Sequence, residues 1–310
     1  MPDFSSHGYW EARFSKDSTP FDWLLPARRL CDIALDWTDE ARVKGADVLH
    51  IGCGSSESSA LRELVEEPSQ VHNVDYSRAA IDAAMSREDE LLEQEQQEVP
   101  APDDLEMTKN KHDSVQYRES SRKMRWSCLD LLSLDATLTL LDQQAEAGRL
   151  FDLVLDKSTS DSVASGSGVP LQLPYPLSIN GWTRGIASSG VSHLAEIHPL
   201  HVLAVHLAVL TTPKEGRWIA ISYSDARFPF FPPMPHSAEQ GFLPDSVLKA
   251  GFPHPSQLWT LEAKEKIDTR GNWDETLAER KKRLQSGQMR RPQPSHWLYV
   301  LKRTEVMVTD

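Results

Sequence analysis

Ala46-Asp47-Val48-Leu49-His50-Ile51-Gly52-Cys53-Gly54 decides how this chain is read. A short apolar run stops at two glycines, the pattern of a buried strand entering a tight turn, and residues 58–65 follow with helical spacing. Glycine at a strand end allows positive φ and lets a ligand lie against bare backbone. Val71-His72-Asn73-Val74-Asp75 is a second strand, and it ends on an acid. In an open α/β sheet both strand ends lie at the C-terminal edge, beside the point where ligands bind. A carboxylate there suits a ribose diol, because it can accept two hydroxyl hydrogen bonds. The alternative is plainer: Gly52 and Gly54 as turn glycines, Asp75 as a helix N-cap.

Outward from that turn, residues 124–130, 151–156, 217–222, 257–261 and 296–301 read as further strands. Residues 26–37 and 77–85 have helical spacing, and 193–210 reads as one long helix. Alternating strands and helices imply a mostly parallel sheet covered on both faces, with an antiparallel strand near the end. The fold class expected is therefore α/β, a seven-stranded Rossmann-like sheet in a single domain spanning 1–310. Three inserts interrupt it: an acidic one at 87–122, a lid-like one rich in Gly, Ser and Pro at 162–190, and a charged one at 262–295.

The 310 residues carry 33 Lys+Arg against 46 Asp+Glu, a formal charge of -13. That balance argues against a nucleic-acid partner, since phosphate binding depends on lysine and arginine. Three separated cysteines, Cys31, Cys53 and Cys128, exclude a disulfide framework and a CxxC metal site, and fit a reducing compartment. The first residues show no basic segment leading into an apolar run. The longest apolar stretch, near His201 and His206, is half a membrane span. A cytoplasmic monomer is expected, with the nucleus as a second compartment and no membrane partner. Four histidines between 193 and 206 read as core or solvated residues rather than a metal site. No metal is expected.

The turn is GxG, not GxGxxG. Glu57 stands at the third glycine position and no P-loop lysine follows. An acid there would repel a pyrophosphate, which disfavours NAD and nucleoside triphosphates. A nucleoside carrying a sulfonium and no phosphate fits better, namely S-adenosyl-L-methionine.

Four segments then resemble a known family. They are Tyr9-Trp10-Glu11-Ala12-Arg13-Phe14 with Pro20-Phe21-Asp22-Trp23; the glycine turn through Ser55; Asn73-Val74-Asp75-Tyr76-Ser77; and Phe151-Asp152-Leu153-Val154-Leu155-Asp156-Lys157-Ser158-Thr159-Ser160-Asp161. Together they resemble class I S-adenosylmethionine-dependent methyltransferases of the group that modifies lysines of translation elongation factor 1-alpha. The last segment is similar to that group's FDxVxDKGTLDA, with Ser158 in place of the glycine and Ser160 in place of the leucine. Trp297 to Lys302 is similar to its closing strand.

The resemblance implies roles residue by residue. Gly52 would lie against the methionine part of the cofactor, Gly54 would belong to the same cofactor-binding turn, Asp75 would bind the ribose, and Tyr76 would flank the adenine. Asp130 and Leu131 would hold the adenine edge. Trp10, Phe14 and Trp23 would cover the cofactor, and Lys157 would sit beside it. Asp156 and Asp161 would lie near the acceptor as catalytic carboxylates, orienting an amine for in-line methyl transfer. The implied acceptor is a protein lysine, which an acidic enzyme suits. A small-molecule acceptor and a catalytically silent interaction module are the alternatives.

Overall fold

The computed structural model describes residues 2–56, 59–98, 122–146, 148–179, 193–233, 237, 240–267 and 295–309. Along the chain run α1 (His7–Lys16), α2 (Ala27–Trp37), α3 (Glu40–Lys44), β1 (Val48–Ile51), α4 (Ser59–Leu64), β2 (Val71–Asp75), α5 (Arg78–Glu98), β3 (Arg125–Cys128) and α6 (Leu134–Glu146). Then come β4 (Leu153–Lys157), α7 (Thr159–Ala164), β5 (Val169–Leu173), β6 (Ser178–Ile179), β7 (His193–Ile197), α8 (Pro199–Leu210) and β8 (Arg217–Ser222). The last elements are α9 (Asp245–Lys249), α10 (Pro255–Leu258), β9 (Trp259–Ile267), β10 (His296–Arg303) and β11 (Val308–Thr309).

Seven strands form one sheet in the order β3-β2-β1-β4-β8-β10-β9. The first five pair in parallel, and β10 runs antiparallel to both neighbours. Strands β1, β2 and β4 are buried at every position, as strands covered on both faces must be. The period of two then sorts side chains between two cores. Leu49, Ile51, Val154, Trp218 and Ala220 face α6 and α8. Val48, Leu153, Leu155, Ile219 and Ile221 face α2, α3 and α4. The order turns outward on both sides of β1, toward β2 and toward β4. The C-terminal ends of these strands therefore open a crevice at the switch point.

This is the sheet expected from the sequence, but several boundaries differ. Residues 193–210 are not one helix: β7 pairs with β5, and α8 starts after His198. A proline disfavours helical geometry in the residue before it, so Pro199 forces His198 to an extended ψ of 132°. The Nδ1 of His198 accepts from Leu200 N at 3.3 Å and caps the new helix. The sixth sheet strand begins at Trp259, after the short helix α10, and uses 262–267 of the stretch read as a charged insert. Helix α5 likewise absorbs 87–98 of the acidic stretch, and β5 and β6 absorb part of the stretch read as a lid. Helices α1 and α6 were not foreseen. Residues 99–121, 180–190 and 268–294 of the three inserts, and Glu57, lie outside the described residues.

Candidate functional site

Both turn glycines sit at φ +55°, where an L side chain is strained. A Cβ on Gly52 would lie 2.1 Å from Thr159 Oγ1, and one on Gly54 would lie 3.2 Å from Phe14 Cζ. The turn thus packs against the start of α7 on one side and α1 on the other. Gly54 N–H donates to Asp75 Oδ2 at 2.9 Å, and Ser77 N–H donates to Oδ1 at 2.8 Å. Asp75 therefore fixes the glycine turn and Ser77 at once, and Ser77 Oγ accepts from Ala80 N at 3.2 Å to cap α5. Those two N–H groups leave the carboxylate with lone pairs to spare. Burial pushes its pKa up to about 6, against the pull of N–H groups from Ser77, Gly54 and Tyr76.

A cavity of about 420 Å³ lies over these strand ends, a volume in the range of small-molecule sites. Asp75 and Tyr76 after β2 line it, as do Asp130 and Leu131 after β3, and Lys157 at the end of β4. Gly52 and Gly54 form part of its floor. The N-terminal segment covers it with Trp10, Phe14 and Trp23. Trp10 and Phe14 stack at 5.7 Å, Trp23 meets Trp10 edge-on at 6.2 Å, and Trp10 Nε1 donates to Phe4 O at 2.7 Å. Glu11 pins this cover to the body: it accepts from Ser77 Oγ at 2.7 Å and from Ala79 N at 3.3 Å. Phe21 N donates to Ser55 O at 3.2 Å, and Ser55 Oγ to Thr19 O at 3.1 Å.

Of the two expected catalytic carboxylates, the structure brings only Asp161 to the cavity wall. Asp156 does not line the cavity. It is fully buried, accepts from Thr159 N at 2.8 Å and from Trp218 Nε1 at 3.2 Å, and so caps α7. Burial and the neighbouring Asp161 charge push it up to about 7. Its position in β4 explains this, since the period of two puts it on the Trp218 face of the sheet and Lys157 at the rim. Asp161 does line the cavity, but its oxygens are occupied. They accept from Ser158 Oγ at 2.6 Å, Ser222 Oγ at 2.5 Å, Tyr223 N at 3.2 Å and the Arg227 guanidinium at 2.7 Å. A carboxylate so engaged orders the loop after β8.

Lys157 pairs with Asp22 of the N-terminal segment, not with Asp156, Asp161 or Asp75. Ser158 sits at φ +70°, so the position where the resembling group has glycine keeps glycine's conformation with a serine in it. Asp22, Glu11, Tyr223 and Arg227 were not singled out from sequence. Asp22 and Glu11 stand within a quoted motif, but their partners are distant in the chain. Cys31 and Cys53 are buried, and burial pushes both thiols up, Cys31 to about 12, so neither is a nucleophile. His201 and His206 are core residues bonded to the carbonyls of Gly241 and Leu131. Among the described residues no cluster could hold a metal ion, and no helix is long and apolar enough to cross a membrane.

No protein-family model and no curated protein matches this chain. Solved structures resemble it over nearly its whole length at low identity. A structure described for the conversion of a disulfide bond into a thioacetal group during echinomycin biosynthesis is 16% identical, covering 97% of this chain and 94% of that one, with a TM-score of 0.44. A SAM-dependent methyltransferase from Anabaena variabilis is 10% identical, covering 98% and 96%, with a TM-score of 0.44. A magnesium protoporphyrin IX methyltransferase from Synechocystis with bound SAM is 13% identical, covering 96% and 93%, with a TM-score of 0.39. Likeness at this level carries no argument about activity, and the fold rests on the strand order itself. Nothing in these matches points to the elongation factor 1-alpha lysine methyltransferases.

Proposed function

We propose that this chain is an S-adenosylmethionine-dependent methyltransferase acting on a small neutral acceptor. The observation that carries the cofactor half is the charge of the cavity wall. Asp75 and Asp130 line it, while Asp161 is paired there with Arg227 and the one cation, Lys157, with Asp22. A wall of that sign repels a pyrophosphate and favours a cationic nucleoside. Asp75, with lone pairs free at the end of β2, accepts the ribose hydroxyls, while Tyr76 and Leu131 flank the base. Trp10, Phe14 and Trp23 exclude water and present aromatic faces, each worth ~1–2 kcal/mol to a desolvated cation. The cofactor supplies a methyl group already activated on sulfonium. The chain's own contribution is thus proximity and alignment.

For the acceptor, the occupied state of Asp161 and the burial of Asp156 leave neither of these two carboxylates free to receive an ammonium. Ser5, Ser162, Ser165 and the half-exposed Tyr223 line that part of the wall instead, and they suit hydroxyl or apolar groups. This favours the small-molecule alternative over a protein lysine. Ser158 argues against a silent module, because it preserves the turn conformation that the glycine would have.

Two measurements test this reading. Calorimetry with S-adenosylhomocysteine should give binding, and NAD under the same conditions should give none. Incubating the enzyme and tritiated S-adenosylmethionine with a lysate should place label in the solvent-extractable fraction. Label confined to a protein band would return the acceptor to the lysine reading, and absence of S-adenosylhomocysteine binding would remove the cofactor.

A further inference from the structure

Tyr223 directly follows β8, lines the cavity and is half exposed. It is also held on every side that the chain can reach. Tyr223 N donates to Asp161 Oδ2 at 3.2 Å. The Arg227 guanidinium, paired with Asp161 at 2.7 Å, lies over the Tyr223 ring at 5.1 Å. Tyr299 Oη, from β10, closes the turn between them: it donates to Ser224 O at 2.8 Å and accepts from Arg227 N at 3.2 Å. A side chain fixed by its supporting contacts on a rigid strand end is how a binding wall is built. The guanidinium covers one face of the ring, and no other ring or cation packs on it among the described residues.

The sheet sets what the open face meets. Asp75 ends β2, the glycine turn follows β1, α7 follows β4 and Tyr223 follows β8, four neighbours in that order. Adjacent strands lie ~4.8 Å apart, so Tyr223 stands about 10 Å from the glycine turn, on the side away from Asp75. A nucleoside with its ribose at Asp75 leaves that side to the acceptor. Ser5 and Ser165 line the same cavity. They belong to distant segments, yet a Cβ on Gly166 would lie 3.3 Å from Ser5 Cβ, so the two segments meet. Each hydroxyl spends its hydrogen within the protein: Ser5 Oγ donates to Asp3 Oδ1 and Ser165 Oγ to Ser162 O, both at 2.7 Å. What each then offers the cavity is a lone pair, which a ligand O–H can meet and an ether oxygen cannot.

We infer that Tyr223 sets acceptor specificity, and that the acceptor is a planar unsaturated alcohol, a phenol or enol, stacked on the open ring face with its hydroxyl donated to Ser5 or Ser165. The ring selects flatness, and the two serines select a donor. The inference rests on the small-acceptor reading above and names the class of that acceptor.

Three probes on one skeleton separate these features: 4-ethylphenol, its saturated counterpart 4-ethylcyclohexanol, and 4-ethylanisole, whose donor is blocked. Saturation-transfer NMR on the full chain loaded with S-adenosylhomocysteine should rank the phenol about three- to tenfold tighter than either of the others. Tyr223→Leu keeps apolar bulk and loses the ring. It should erase the preference over the saturated probe and keep the preference over the anisole, whereas Tyr223→Phe should keep both. A merely structural role would weaken all three probes alike. S-adenosylhomocysteine affinity within about threefold of wild type reports that each variant is folded, and Tyr223→Ala carries the same test should Tyr223→Leu fail it. The assignment is overturned if wild type binds no phenol, if phenol and cyclohexanol bind equally, or if their ratio survives in Tyr223→Leu. Equal binding of the anisole removes the hydroxyl from the acceptor class. Any of these with S-adenosylhomocysteine still bound leaves the cofactor reading standing; if wild type does not bind S-adenosylhomocysteine, both fall together.

Discussion

Asp75 has two tasks that pull in opposite directions. Its folded pKa of about 6 lies above the ordinary 3.8, so the buried group is better tolerated protonated. The stability it contributes is present below 3.8 and lost as pH rises through about 6. Its capacity to accept ribose hydroxyls is gained over that same window. Affinity for S-adenosylhomocysteine should be flat above pH 7 and fall by up to about tenfold per unit below 6. Asp75→Asn should bind about a hundredfold more weakly at pH 7.5, and its affinity should lose the acid fall; calorimetry at three pH values checks both. Ser158 offers a cleaner test of strain. Glycine there removes a left-handed penalty of ~1–2 kcal/mol and forfeits one hydrogen bond to Asp161 of about the same size. Ser158→Gly should unfold in denaturant within about 1 kcal/mol of wild type. Ser158→Val, β-branched at φ +70°, should lose more than about 2 kcal/mol.

At the scale of the element, α1 is a cover packed against α5. Glu11 attaches it to the start of α5 through Ser77 and Ala79, and the Ser77 hydroxyl is the main reason the Glu11 carboxyl lies below its ordinary pKa. Removing a capping group of this kind weakens the contact without touching the cavity floor. Glu11→Ala should therefore release S-adenosylhomocysteine several-fold to about tenfold faster, with association little changed, because the cover gates exit. Stopped-flow release measures it, and trypsin cleavage after Arg13 or Lys16 should accelerate in parallel. Release at the wild-type rate would show that α1 is not the gate.

At the scale of the whole molecule, the two edges of the sheet divide the work. The site occupies the C-terminal edge, and stability is anchored at the other. Arg303 ends the antiparallel β10 and is 2% exposed. It donates to the carbonyls of Ala208 at 3.0 Å, Leu258 at 3.1 Å and Val306 at 2.7 Å, tying α8 and α10 to the sheet. No carboxylate pairs with it among the described residues, and burial pulls its pKa down to about 10. Arg303→Met would orphan those carbonyls at a cost of roughly 2–4 kcal/mol, lowering Tm by several degrees while leaving S-adenosylhomocysteine affinity unchanged. A parallel loss of affinity would show that the two edges are coupled.

What the sequence alone determined is what adjacent residues decide together. The glycine turn, the acid ending β2 and the succession of strands and helices are local patterns, and each was legible without coordinates. The break before α8 was locally encoded too, by Pro199, but the continuous apolar run of 199–210 masked it. What only the tertiary structure decided is pairing between distant residues. Lys157 and Asp22 are 135 positions apart, and Glu11 and Ser77 are 66. A charged side chain takes its role from whichever groups desolvate and neutralise it, and those are set by strand order and by where the N-terminal segment lies. Asp156 and Asp161 show the same limit: neighbours in one motif, they were given one role. The fold buries the first as a helix cap and saturates the second with donors from Ser222, Tyr223 and Arg227, which no local pattern could announce.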